Sequence, residues 1–343
     1  MTTETTDNMD VATTRTAGLT RVLELAPVSA LLSALALSDE RAHHWLMRAR
    51  CYLALGSIAR ARAAYEAAST RGVDVCVELQ QLETLVATWL DHPSRLASLF
   101  PSLTRCTSPC GLCDLESIVR YDGTYAAERD VQVAWTIFRS SAPFRSSSKP
   151  PRAIVVFFHG NAETVDDLQS RAALFHEQQM VLMIVEYRGY GRSSQTPPLL
   201  STLLSDAEPL LLGSALEDAM TAAHLPASLP LVLYGRSLGS HIAIHLAAMA
   251  RCARCTVCAL ILEAGIASVR HWTCDSTNAP PEGQPRLPAG IAIGILENCA
   301  KLQETTTPLL VIHGDSDIVV PAYQVSLDTQ HYLSAPSPHG PLR

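Results

Sequence analysis

A serine stands between two glycines in Gly235-Arg236-Ser237-Leu238-Gly239, after the apolar run Leu229-Pro230-Leu231-Val232-Leu233-Tyr234 and before Ser240-His241-Ile242-Ala243-Ile244-His245-Leu246-Ala247-Ala248. The first run predicts a buried strand and the second a helix, so Ser237 falls on a sharp strand-to-helix turn. Small neighbours let the chain pass close to itself there, and the turn lifts the hydroxyl over the sheet edge, where it can act as a nucleophile. In acyl transfer the attacked carbonyl oxygen becomes negative and needs two N–H donors about 2.7–3.1 Å away. A second buried strand, Ala153-Ile154-Val155-Val156-Phe157-Phe158, ends in His159-Gly160-Asn161-Ala162-Glu163. The backbone amides of Asn161 and Leu238 are therefore the expected oxyanion donors. A third strand ends in His313-Gly314-Asp315-Ser316-Asp317 and delivers a carboxylate to orient a histidine, with Asp315 and Asp317 competing for the part.

The elements between these motifs must hold them on one edge. Segments 154–158, 181–185, 231–234 and 259–262 are short and apolar. They alternate with helix-like stretches at 166–178, 199–223 and 240–250. Such alternation predicts an α/β architecture, a mostly parallel sheet with helices on both faces. Segments 115–121 and 131–138, around Asp122-Gly123, predict an antiparallel hairpin opening the sheet. The segment 267–296 is inserted at the carboxyl edge, where open α/β sheets bind ligands. Its Trp272 and the run Ile291-Ala292-Ile293-Gly294-Ile295-Leu296 favour a small acyl or lipid-like group over a charged peptide, or else pack a helix against the sheet.

With these motifs in order, residues 115 to 342 resemble the α/β-hydrolase superfamily, and within it the serine aminopeptidase, monoglyceride-lipase and protein-depalmitoylase-like branch. The resemblance rests on His159 to Glu163, on Glu186-Tyr187-Arg188-Gly189-Tyr190-Gly191-Arg192-Ser193, on the glycine-flanked serine, on Leu260-Ile261-Leu262-Glu263-Ala264-Gly265 and on the segment ending at Asp317. It implies a serine hydrolase in which Ser237 attacks, Asp317 is the acid and the Asn161 and Leu238 amides form the oxyanion hole. The partners in this fold follow the order serine, acid, histidine, and only His331 and His339 come after Asp317. His331 falls in a helix-like stretch, 322–333, and His339 in the loop Ser334-Ala335-Pro336-Ser337-Pro338-His339-Gly340, which makes His339 the expected base. The family places a last strand before this histidine, and here the chain is short of it. Three readings follow: an esterase, thioesterase or lipase; a peptidase of the same fold; and a non-catalytic interaction protein that lacks a working histidine.

The amino-terminal third is a different kind of sequence. Residues 1–16 read as a disordered tail, 17–100 as a helical module rich in Ala, Leu and Arg, 101–114 as a linker and 115–343 as the hydrolase domain. Trp45, Ala49, Tyr52, Gly56, Ala61, Tyr65 and Ala68 resemble one tetratricopeptide repeat, with a generic helical hairpin as the equal alternative. Six arginines and one acid, Glu66, between Arg41 and Arg71 give a face for an acidic protein partner or for solvent. Few contacts are expected to cross the linker, so the module should be separable.

Composition narrows the classes further. A net charge of -7 argues against a nucleic-acid partner. Apolar runs stay far below the roughly 18 residues of a transmembrane helix, and the polar start is unlike a basic signal segment, so a cytoplasmic protein is expected. Lysine occurs only at Lys149 and Lys301, away from the serine motif, which disfavours a Ser-Lys pair. Cys106, Cys110, Cys113 and Cys252, Cys255, Cys258 hold C-x-x-C pairs. They fall in different modules, however, and Cys258 opens an apolar strand as a small hydrophobe, so no metal or other cofactor is expected. His241 and His245, one helical turn apart, are expected on a solvated helix face.

Overall fold

The computed structural model describes residues 28–35, 41–100, 117–141, 150–253, 255–267, 298–303 and 305–320. Five helices come first: α1 (Val28–Leu35), α2 (Ala42–Leu55), α3 (Ile58–Ser69), α4 (Cys76–Leu85), which runs on into a π turn, and α5 (Pro93–Leu99). The sheet is built from β1 (Ile118–Glu128), β2 (Val131–Ser140), β3 (Ala153–Phe158), β4 (Met180–Val185), β5 (Leu231–Arg236), β6 (Val257–Glu263) and β7 (Leu309–Ile312). Between the strands lie α6 (Val165–Leu168), α7 (Arg171–Glu177), α8 (Pro209–Leu212), α9 (Ala215–Ala222), α10 (Gly239–Ala253) and α11 (Cys299–Gln303).

The strand order is β1-β2-β4-β3-β5-β6-β7. β1, β2 and β4 pair antiparallel, and β4 through β7 run parallel. Every residue of β3 is buried, and its side chains alternate between two apolar clusters. Ile154, Val156 and Phe158 join Leu204 and Ile244 on one face, while Val155 and Phe157 join Leu168 and Ala172 of the α6–α7 region on the other. This double burial explains the unbroken apolar runs of the central strands.

The hairpin turns at Arg129-Asp130, not at Asp122-Gly123, which lies inside β1. Gly123 pairs with Trp135 across the ladder, and a Cβ there would come within 2.2 Å of the indole ring. The glycine makes room for a cross-strand ring rather than for a turn. Asp122 is held in place by Arg120, Arg192 and Thr136.

The amino-terminal helices are not isolated from the sheet. Ile58, Tyr65 and Trp89 belong to the same apolar cluster as Val156 and Ile244, and Leu31, Cys51 and Leu55 pack with Met249 of α10. Asp91 accepts hydrogen bonds from the Ser201 amide and hydroxyl. The expectation of few crossing contacts therefore fails: amphipathic helices this short bury their apolar faces against a neighbour, and the sheet layer is that neighbour. The arginine face also finds its acids within the chain. Arg50 meets Glu78, Arg62 meets Glu83 and Arg60 meets Glu208, while Arg48 and Arg71 stack on Trp45.

Candidate active site

Ser237 lies between β5 and α10 with φ 49, a left-handed conformation uncommon outside glycine. Its neighbours explain how the turn closes. A Cβ on Gly239 would come within 2.1 Å of the Phe158 carbonyl oxygen, and one on Gly235 within 2.6 Å of the Gly239 carbonyl oxygen. Only glycines allow the end of β3 and the first turn of α10 to meet this closely. The Ser237 amide donates to the Glu263 carbonyl at 2.9 Å, and the Ser240 hydroxyl donates to the Ser237 carbonyl at 2.6 Å, so the turn is pinned on both sides.

The loop after β3 stands beside it. A Cβ built on Gly160 would lie 3.7 Å from the Ser237 Cβ. The Gly160 amide donates to Glu163 at 2.7 Å. The Asn161 side chain donates to the Leu99 carbonyl and accepts from the Tyr190 hydroxyl at 2.8 Å. Among the described residues, the backbone N–H groups of Asn161 and Leu238 meet no acceptor. Two such donors beside a hydroxyl can receive a developing oxyanion.

Asp317 follows β7, two strands from β5 in the sheet. One carboxylate oxygen accepts from the Val319 and Val320 amides, each at 2.8 Å, and the other lies 3.7 Å from His313 Nε2. The Val320 amide first, then the Val319 amide and the His313 and Arg236 charges, hold its pKa below the ordinary aspartate value. Asp317 is thus kept as an anion on the sheet edge that carries Ser237, and Asp315 beside it is exposed. His331, His339, nearly all of the insertion 267–296 and the cysteines 106, 110 and 113 lie outside the described residues.

A salt-bridge network surrounds the turn that sequence reasoning did not anticipate. Arg236 meets Glu163 and, at 3.3 Å, Glu263. Glu263 also accepts from Arg171 at 2.9 Å and from the Tyr234 hydroxyl at 2.7 Å. Burial opposes the charge on Glu263, but Arg171 and Tyr234 more than offset it, and the pKa is lowered. Glu163 and Arg236 both stand inside motifs singled out from the sequence, yet no local pattern says that they meet.

A second network corrects the placement of the histidines on α10. His241 and His245 are buried, not solvated. His245 Nε2 lies 2.8 Å from Glu208 and its Nδ1 lies 3.3 Å from Lys301 Nζ. The Ser57 hydroxyl donates to Glu208 at 2.6 Å, and Arg60 pairs with the same carboxylate. His241 Nδ1 is 2.9 Å from the Asn298 amide nitrogen. Burial would raise the Glu208 pKa, but His245, Arg60 and Ser57 hold it down at about 2. Burial, with Lys301 adding to it, lowers His241 to about 4, and burial lowers Lys301 to about 7. Cys258 also departs from expectation: it is exposed on β6, because the alternation of that strand turns it outward.

Residues 149–281 match the family model described as serine aminopeptidase, S33, over the stretch that carries β3, the Asn161 loop and Ser237. Over that stretch the chain is similar to this family, and the sheet that holds it is seven-stranded and mostly parallel, with helices between the strands. A monoacylglycerol lipase of Mycolicibacterium smegmatis is 26% identical over 244 residues, covering 60% of this chain and 82% of the lipase. Among solved structures, the chain is similar to an acylaminoacyl peptidase of Pyrococcus horikoshii, at 15% identity and a TM-score of 0.47, over 64% of this chain and 36% of the peptidase. A lipase/esterase from Lactobacillus plantarum matches at 13% identity and a TM-score of 0.46, over 63% of this chain and 85% of the other. The chain thus spans little more than a third of the peptidase's length. Among the described residues, no helix is long and apolar enough to cross a membrane.

Proposed function

We propose that the chain is a serine hydrolase that cleaves an acyl ester or thioester. The observation that carries this reading is the backbone of Ser237, held at φ 49 between glycines that leave no room for a side chain, with two amides beside it that meet no acceptor among the described residues. Ser237 Oγ attacks the acyl carbonyl and His339 takes its proton, while Asp317 orients the imidazole. The carbonyl oxygen, now negative, is received by the Asn161 and Leu238 amides. Collapse breaks the bond to the leaving alcohol or thiol, which departs with the proton from His339. Water then attacks the acyl-enzyme by the same route and releases the acid.

The lipase relative supports an acyl or lipid-like substrate, and the apolar run of residues 291–296 suits such a group. The family model's description keeps a peptidase of the same fold as the second reading. A fluorophosphonate probe is expected to label the full chain at Ser237 and to leave Ser237→Ala unlabelled. Turnover of p-nitrophenyl esters without turnover of the matching anilides separates the esterase from the peptidase. A full chain that takes no label and turns over neither substrate favours the interaction-protein reading.

A further inference from the structure

One carboxylate bridges the neighbours of the two proposed oxyanion donors. Glu163 Oε2 accepts from the Gly160 amide at 2.7 Å, and Glu163 Oε1 accepts from the Arg236 guanidinium. Gly160 precedes Asn161 in the loop after β3, and Arg236 precedes Ser237 and Leu238 in the turn after β5. Ala162, at φ 60, reverses the chain so that Glu163 can lean back over Gly160. A Cβ on Gly160 would be 2.8 Å from Glu163 Oε2, so the carboxylate occupies the space that a side chain would need. From its other side Arg236 is held by Glu263, which is itself fixed by Arg171 and Tyr234, and the Glu263 carbonyl receives the Ser237 amide.

Resting on the hydrolase reading above, we infer that Glu163 is a positioning residue that sets the separation of the Asn161 and Leu238 amides. Three observations lead there. Glu163 and Arg236 are 21% and 33% exposed, and ion pairs this open to water contribute little to stability. The pair nevertheless joins the ends of two different strands at the place where a displacement of about 1 Å can cost on the order of a hundredfold in rate. Glu163 also occupies the Gly160 amide and so withdraws it as a donor, whereas the neighbouring Asn161 amide meets no acceptor among the described residues.

The test uses the full chain with Glu163→Ala and Glu163→Gln. Glu163→Ala is expected to lower kcat on a p-nitrophenyl ester about 30- to 100-fold with KM within about twofold. Glu163→Gln keeps an acceptor for Gly160 and should recover part of that loss. Hydrogen exchange gives a reading independent of activity: the Gly160 amide should exchange about tenfold faster in Glu163→Ala, with β3 and β5 unchanged. Unaltered kcat and exchange in Glu163→Ala would overturn the inference. So would a general rise in exchange across both strands, because that marks a structural role only. A parent chain that neither turns over ester nor labels at Ser237 overturns the hydrolase reading instead, and with it the catalytic part of this one.

Discussion

Two ionic networks of similar composition sit in very different surroundings. One, formed by Glu163, Arg236, Glu263 and Arg171, lies at the ends of β3, β5 and β6, with its side chains 21–33% exposed. The other joins Glu208, His245 and Lys301 with Ser57 and Arg60, and in it Glu208, His245 and Lys301 are at most 1% exposed. Water can replace a lost partner in the first network, so its value is chiefly geometric. In the second, a lost partner leaves an uncompensated buried charge, which costs about 3–5 kcal/mol. The same residue types serve position at one place and cohesion at the other.

Four measurements bear on this contrast, and the largest effect belongs to the exposed side. Ser237→Ala should lower kcat/KM on an ester by at least about 10⁴-fold while leaving the urea midpoint within experimental scatter. An equal loss of stability would mean that the turn is structural first. Glu208→Ala should do the reverse, destabilising the chain by about 3–5 kcal/mol in urea unfolding, against under about 1 kcal/mol for Glu163→Ala. Equal costs for the two would erase the contrast.

The buried groups on and around α10 should each add stability as pH rises. Glu208 at about 2 against an ordinary 4.5, His241 at about 4 against 6.5, and Lys301 at about 7 against 10.5 all bind their protons more readily in the unfolded chain. Stability therefore rises with pH through each window and is lost as pH falls through each folded value. Lys301→Met should remove the contribution to Tm that rises between about pH 7 and 10.5; a Tm–pH slope over that range equal in parent and variant contradicts the assignment. The smallest effect returns to the exposed side: Ser237→Gly should stabilise the fold by about 0.5–1 kcal/mol by relieving the left-handed backbone.

What sequence could reveal follows the reach of each interaction. The turn at Ser237, the Asn161 loop and β7 were legible because an apolar run and its bounding glycines are adjacent in the chain. Asp122-Gly123 misled because the reason for that glycine, the Trp135 ring, comes from the partner strand. His241 and His245 looked like a solvated pair because their partners Glu208, Asn298 and Lys301 are 37 or more residues away in the chain, and no helical periodicity contains them. The arginine face was read as meeting an acidic partner or solvent for the same reason. Its acids include Glu78 and Glu83 of α4, and Glu208, which lies far beyond the first strand. The role of Asn161 was read from its backbone alone, whereas its side chain ties the loop to Leu99.

The long reach of Glu208 has a consequence for how the chain is made. Ser57 and Arg60 meet a carboxylate that lies 151 and 148 residues further along the chain. At about 5–20 residues per second, a ribosome needs roughly 7–30 s to add that much polypeptide. Throughout this interval α2 and α3 are already synthesised, but the sheet that buries their apolar face and the acid that neutralises Arg60 do not yet exist. The nascent helices must be sheltered or must stay loosely formed, and their final docking waits for α10 and α11. Slowing translation between the two regions should therefore lengthen the time during which a holding chaperone can be crosslinked to α2 and α3.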